Sequence, residues 1–208
     1  MQIYGYASIR VSAVIITIVG FKGGIGKTSA AVHLACYLQQ KDKTLLIDGD
    51  PNRSASSWAG RGKLPCDLCD EKSAVKLARG YEHIVIDTKA RPEAEDLDAL
   101  VKGCDLMILP TTPDALALDA LILMCKALPK NANYKILLNI IPPKPSKYGD
   151  EAMAFLKDAK LPVFNTVIRR YSAYQRAALR GVPVYESGDA KGKIAWADYQ
   201  KLGAEVMK

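Results

Sequence analysis

Gly20-Phe21-Lys22-Gly23-Gly24-Ile25-Gly26-Lys27-Thr28 follows a short apolar, β-branched run at 14–19 and precedes apolar residues at helical spacing, Ala31, Leu34, Ala35 and Leu38. A strand, a glycine-rich turn and a helix in that order read as a phosphate-binding loop. Gly23, Gly24 and Gly26 let the backbone curl around an anion and aim its N–H groups inward. The helix expected over 27–40 offers its positive N-terminal end to the same anion. Lys27 then reaches the β- and γ-phosphates and the Thr28 hydroxyl holds Mg²⁺, with the backbone of Gly23, Gly24, Ile25, Gly26 and Ser29 completing the cradle. The strict spacing G-x-x-x-x-G-K-[ST] is not met: Phe21 stands five residues before Gly26, and Gly20 comes one residue early. A glycine-rich turn without chemistry is the plain alternative, and the strand and helix around it argue against it.

Outward from the loop, short apolar runs at 44–47, 83–86, 106–109 and 135–140 read as further strands. Helical stretches at about 71–79, 93–102, 115–127 and 150–159 separate them. Strands alternating with helices predict an α/β fold, a mostly parallel twisted sheet with helices on both faces. Ligands of such sheets bind beyond the carboxyl ends of the strands. Residues 1–13 read as an N-terminal extension and 14–208 as a single domain. The 208 residues are 49% hydrophobic and 25% charged, which excludes a largely disordered chain. No apolar run reaches the roughly 18 residues a membrane span needs. The first ten residues lack a basic segment followed by an apolar one, so the reading is against a secretory leader. Five cysteines without a secretory context read as reduced thiols in a cytoplasmic protein.

The net charge of +7 is unevenly spread. Residues 126–180 carry eleven Lys/Arg against three Asp/Glu, whereas the rest of the chain has 18 against 19. A cluster of this kind favours an anionic partner, nucleic acid first and a membrane surface second; a solvated lysine-rich face is the bland alternative.

Lys22 to Thr28, KGGIGKT, resembles the deviant Walker A box of the ParA/MinD superfamily of P-loop ATPases. Leu45 to Pro51 (LLIDGDP) resembles its second box, and Ile84 to Thr88 (IVIDT) its Walker B strand. Leu109 to Asp114 (LPTTPD) and Asn139 agree as well, and the resemblance runs from about residue 14 onward. It implies a P-loop NTPase with ATP and Mg²⁺ as cofactors. Lys22 is the family's extra lysine, which crosses a dimer interface to the nucleotide of the other subunit and adds a cation to phosphates gathering charge. Asp87 would accept Mg²⁺. Asp48 and Asp50 share a side of their strand, since i and i+2 do. Asp50 would orient the attacking water and Asp48 would support the metal, although Asp, Gly, Pro and Asn are also ordinary turn formers. Asn139, both donor and acceptor, would read adenine. Two departures stand out: Asn52 replaces the usual glutamine, and the segment after Walker B carries Lys89 and Arg91.

The resemblance implies a short ParA-type positioning ATPase without a preceding helix-turn-helix domain. Such a protein forms an ATP-dependent homodimer and binds DNA without reading sequence. A ParB-like or cargo adaptor stimulates hydrolysis and releases it, so that a plasmid, chromosome or carboxysome is moved. The expected location is cytoplasmic, on the nucleoid in the ATP state. Arg169, Arg170, Arg176 and Arg180, with Tyr171 and Tyr174 between them, are the expected DNA contacts. A MinD-type membrane ATPase would end in a basic amphipathic helix. Here Ile194, Trp196, Tyr199, Leu202 and Val206 read instead as the side of a helix docked on the core. A metabolic P-loop enzyme is the third reading, and Cys66-x-x-Cys69 supplies at most half a zinc site for it. Cys36, Cys104 and Cys125 read as core residues, and His33 and His83 as structural.

Overall fold

Near-continuous apolar runs, such as Ile15 to Val19 (interrupted only by Thr17) and Leu45 to Ile47, suit strands covered on both faces. A computed structural model describes residues 13–208 and arranges them that way. The strands are β1 (Val14–Gly20), β2 (Thr44–Gly49), β3 (Asp67–Asp70), β4 (His83–Ala90), β5 (Leu106–Thr111) and β6 (Tyr134–Leu138). They form one sheet in the order β3-β2-β4-β1-β5-β6, with every pairing parallel. Alternate residues sort into two cores. Ile16, Ile18, Leu46, Val85, Ile108 and Leu137 pack beneath α1 (Lys27–Leu38), α2 (Ser54–Ala59), α7 (Ser172–Arg180) and α8 (Gly192–Val206). Ile15, Val19, Leu45, Ile47, Ile84, Ile86, Met107 and Leu109 face α3 (Glu71–Leu77), α4 (Ala94–Gly103), α5 (Ala115–Ala127) and α6 (Tyr148–Asp158).

Several elements differ from the sequence-based expectation. β3 and α2 were not expected, because DLCD has no apolar run and SASSWA is too short and polar to show a period. β6 stops at Leu138 rather than residue 140, since Ile140 adopts φ 55 and leaves the strand. α3 ends at Leu77, and a 3₁₀ turn (Ala78–Gly80) completes the segment. The expected extension lies outside the described residues, apart from the buried Ala13.

α8 docks on α1 through Ala195, Trp196, Tyr199 and Leu202. Ile194 is 50% exposed, contrary to expectation. One position from Ala195 is about 100° around a helix, which takes Ile194 off the buried stripe. His33 ties α1 to the same layer: Val184 N–H donates to its Nε2 at 3.1 Å, so Nδ1 carries the proton and donates to the Ser29 carbonyl at 2.7 Å. Burial pushes its pKa down to about 4, and its ring stacks on Tyr199 at 4.7 Å. It therefore acts as a neutral cross-link. At the far end of α8, a methyl on Gly203 would stand 2.1 Å from Tyr37 Cδ1. Gly203→Ala should cost about 1–3 kcal/mol of overpacking, against up to about 1 kcal/mol gained in helix propensity. A urea-unfolding midpoint lower than wild type is the expected outcome; an unchanged or higher midpoint would mean that the ring moves aside freely.

Candidate nucleotide and metal site

A cavity of about 670 Å³ opens beyond the carboxyl ends of the strands. Gly23, Gly24, Gly26, Lys27, Thr28 and Ser29 form one wall. Asp50 and Asn52 come from the end of β2, and Ile168 to Tyr171 and Tyr174 close the opposite side. Gly24 (φ 78) and Gly26 (φ 83) both adopt the left-handed conformation that turns the loop. Gly26 is also the N-cap of α1, which has neither a side-chain cap nor an acidic residue in its first turn. Its leading N–H groups and positive end are thus left to an anion. Lys27 is 8% exposed. Burial lowers its pKa, and the nearby Asp87 and Asp50 carboxylates work against that shift.

Asn139 is a wall of the cavity, but its amide is already used. Nδ2 donates to the Ile25 carbonyl at 2.9 Å and faces that of Gly26 at 3.4 Å, while Oδ1 accepts from Ile140 N at 2.9 Å. The last bond supports the positive φ of Ile140, which is unusual for a β-branched residue. A Cβ on Gly26 would meet Asn139 Nδ2 at 2.5 Å. Asn139 therefore buttresses the loop in this structure and does not present a free amide to a base.

Three carboxylates stand near the carboxyl ends of the neighbouring strands β2 and β4, and their environments differ. Asp87 pairs in register with Ile18 on one side and Asp48 on the other. It has no exposed surface, and neither oxygen is well hydrogen-bonded. Burial pushes its pKa up to about 7; the Thr28 hydroxyl and Lys27 oppose this, and Asp48 and Asp50 reinforce it. An orphaned buried carboxylate beside a threonine hydroxyl is a donor set that fits a hard divalent cation. Asp50 lines the cavity, and Oδ1 accepts from the backbone and side chain of Asn52 at 2.9 and 3.0 Å. Asn52 is short enough to fold back in this way.

Asp48 departs from expectation. It does not line the cavity: Oδ2 accepts from Ser56 N and Oγ at 2.8 and 2.6 Å, and Oδ1 from Asp50 N at 3.3 Å. The cause is α2, whose first turn has no side-chain cap of its own and takes Asp48 as acceptor.

Lys22 and Ile25, both expected at the nucleotide, also lie off the cavity wall. Ile25 is 4% exposed and packs over Gly20. Lys22 Nζ is 3.0 Å from Asp114 Oδ1, at the start of α5. The two cations after Walker B are engaged as well: Lys89 pairs with Asp96 at 2.7 Å, and Arg91 Nε donates to the Phe21 carbonyl at 3.2 Å.

The expected DNA-contact arginines divide. Arg169 is held by the buried Asp198 of α8 through Nη2 at 2.7 Å and Nε at 3.0 Å, and its backbone N–H donates to the same carboxylate. It is a structural clamp on the cavity wall and not a free surface cation. Arg170 is exposed and lines the cavity. Arg176, exposed, is 3.4 Å from Asp189, and Arg180 Nη1 donates to the Ser187 carbonyl. Asp198, and the pairing of Asp114 with Lys22, have no signal in the sequence, since a partner far away in sequence leaves no local pattern. Cys66 and Cys69 do not converge: Cys66 joins the core with Cys36 and Cys69 the opposite core. Cys104 and Cys125 are half-buried, less enclosed than expected.

The Asp87 environment makes stability depend on pH. Its folded pKa of about 7 lies above the ordinary aspartate value of about 3.9. The folded state therefore binds more protons in between, and stability falls as pH rises from about 4 to about 7. At about 1.4 kcal/mol per pH unit the loss has an upper bound of about 4 kcal/mol. In EDTA, Asp87→Asn should be more stable than wild type by urea unfolding, with an advantage that grows between about pH 5 and about pH 8. A constant difference would show that Asp87 does not titrate in this range.

A family model described as the CobQ/CobB/MinD/ParA nucleotide binding domain matches residues 16–184. The maintenance of carboxysome distribution protein A of Gloeobacter kilaueensis is 34% identical over 201 residues, covering 92% of this chain and 93% of that protein. The protein of the same name from Halothiobacillus neapolitanus is 26% identical and covers 92% of this chain and 95% of its own length. Among solved structures, the ATP complex of a Cyanothece McdA variant superposes with a TM-score of 0.72 at 16% identity, covering 95% of this chain and 97% of that one. A P-loop that opens an all-parallel sheet, and matches of this extent, lead to one conclusion: the chain belongs to the CobQ/CobB/MinD/ParA family of nucleotide-binding domains.

Proposed function

We propose that this chain is a ParA-type positioning ATPase that closes into a homodimer around ATP, binds DNA without sequence preference in that state and is released by adaptor-stimulated hydrolysis. One observation carries the reading: Lys27 lines the nucleotide cavity, while Lys22, five residues earlier on the same loop, stays outside it on the exposed surface. A second lysine so placed suits delivery to the nucleotide of a partner subunit. Lys27 neutralises the β- and γ-phosphates of the bound ATP, and the backbone N–H groups of Gly23 to Ser29 cradle them. Asp50, with Oδ1 held by Asn52, orients the attacking water. Thr28 and Asp87 would hold Mg²⁺, which supplies charge neutralisation at the phosphates; Asp48 supports this shell by fixing the β2 turn. Ile140, Ile168 and Tyr171 suit the adenine face, and Asn139 contributes by holding the loop.

The similarity to McdA proteins favours a protein cargo such as the carboxysome over a plasmid, with the adaptor a separate chain. DNA contact falls to Arg170, Arg176 and Arg180, since Arg169 is committed to Asp198. The buried stripe of α8 speaks against α8 itself as a membrane-anchoring helix, and no helix among the described residues is long and apolar enough to cross a membrane. The proposed location is the cytoplasm, on the nucleoid while ATP is bound.

The test is binding of purified protein to random-sequence duplex DNA with ATP, with ADP and without nucleotide, at two salt concentrations. Binding should need ATP and fall with salt, and Arg176→Ala should reduce the salt slope by about 1 without changing sequence preference. Absence of binding in every nucleotide state would remove DNA from the reading. Lys27→Ala should abolish nucleotide binding. Lys22→Ala should keep ATP yet stay monomeric, and Asp50→Ala should keep the dimer while losing turnover by about 10²-fold or more. A dimeric Lys22→Ala or an active Asp50→Ala would reassign those roles.

A further inference from the structure

Asp114 ends the segment after β5 and caps α5: its Oδ1 accepts from Ala117 N at 3.0 Å. The same oxygen takes the Lys22 ammonium at 3.0 Å, and Thr112 Oγ donates to Oδ2. These bonds keep the carboxylate ionised, the Thr112 hydroxyl first and Lys22 after it, with its pKa below the ordinary value. The pair is solvent-exposed, with 37% of the Lys22 side chain and 51% of that of Asp114 open to water. Neither residue lines the nucleotide cavity. An ammonium held at this cap cannot at the same time sit on a phosphate of another subunit.

We propose that Asp114 is a positioning residue for Lys22, holding its ammonium on the cap of α5 in the single subunit and competing for it with the nucleotide phosphates of a second copy of this chain. The inference rests on the trans role given to Lys22 above. Dimer formation exchanges two Lys22–Asp114 pairs, one per subunit, for two lysine–phosphate contacts. It also brings two uncompensated aspartates towards an anionic interface. Both effects make the wild-type dimer weaker than Lys22 alone would allow, so Asp114 sets the protein and ATP concentrations at which the dimer closes. Exposed pairs are individually weak, and two of them predict a dimer between about two-fold and thirty-fold tighter once the charge is removed.

The cap and the charge can be separated, because Asn and Ser cap a helix about as well as Asp. Dimerisation of the full chain is measured by sedimentation with a non-hydrolysable ATP analogue, at low and high salt. The proteins are wild type, Asp114→Asn, Asp114→Ser, Lys22→Ala and the double variant Lys22→Ala/Asp114→Asn. Both capping variants should melt within a few degrees of wild type, bind nucleotide as monomers with unchanged affinity, and dimerise two-fold to thirty-fold more tightly. The gain should shrink with salt and vanish in the Lys22→Ala background. A dimer that is unchanged or weaker in both stable capping variants overturns the proposal while leaving the trans role intact. A gain that persists without Lys22 overturns it too, since Asp114 would then act by general repulsion. If Lys22→Ala dimerises normally, the trans role falls and this inference falls with it. Should Asp114→Asn lose its fold, Asp114→Ser carries the same measurement.

Discussion

Asp87 is enclosed in the C-terminal half of β4 with neither oxygen well hydrogen-bonded, and much of the site compensates for that deficit. The strand that carries it is apolar for the three residues before it, Ile84 to Ile86, so the fold buries the carboxylate whether or not a counter-charge is present. Lys27, itself drawn out of water, supplies part of the counter-charge from the facing loop. The acidic neighbours Asp48 and Asp50 make matters worse, Asp48 more than Asp50 even though its own carboxylate is hydrogen-bonded to Ser56 at the start of α2. What remains is a concentration of negative charge opposite an uncapped helix end and a buried lysine. That arrangement is poorly satisfied by protein groups alone and well satisfied by an anion together with a hard cation.

The second requirement is mechanical. The phosphate loop has few side chains of its own to hold it, so its shape is fixed from outside. Asn139 holds it through the Ile25 carbonyl, Arg91 reaches the Phe21 carbonyl, and His33 binds the first turn of α1 to Val184. Each support comes from a different part of the chain. The cavity wall at Ile168 to Tyr171 is treated likewise: Ile141 bonds it on the sheet side and Asp198 grips Arg169 on the other. Cationic residues in the basic quarter of the chain are thus partly structural, and the charge count of 126–180 overstates what is free to meet an external anion.

How far the sequence carried this picture depends on the range of each interaction. The glycine loop, the helix behind it and the apolar strands are local patterns, and their order alone specifies an α/β sheet with its chemistry at the strand ends. Asp87 was legible because an acid closing an apolar run is costly to bury without a purpose. The hydrogen bonds of Asp48 to Ser56 have no signal in the sequence because the partner lies on α2, a six-residue helix with too short a period to recognise. Arg169 was read as a surface cation because nothing near it signals an acid on α8. Lys22 and Asp114 were both noticed, but only the folded chain brings them to 3.0 Å. Local patterning determined the scaffold, whereas the pairing of charges needed three dimensions.

The Arg169–Asp198 clamp has a consequence for the order in which the molecule is made. Synthesis is vectorial, and a chain can use only the residues that have already emerged. A nascent chain that has passed residue 167 already contains the phosphate loop, both strand-end boxes and the β4 carboxylate. It still lacks the wall at 168–171 and the helix that grips it. The anion-binding half of the cavity is therefore among the first parts synthesised, and the enclosing half is completed only once Asp198 has been added. The support that His33 takes from Val184 and the packing of α1 under α8 arrive equally late, so both halves of the site depend on completion of the C-terminal layer.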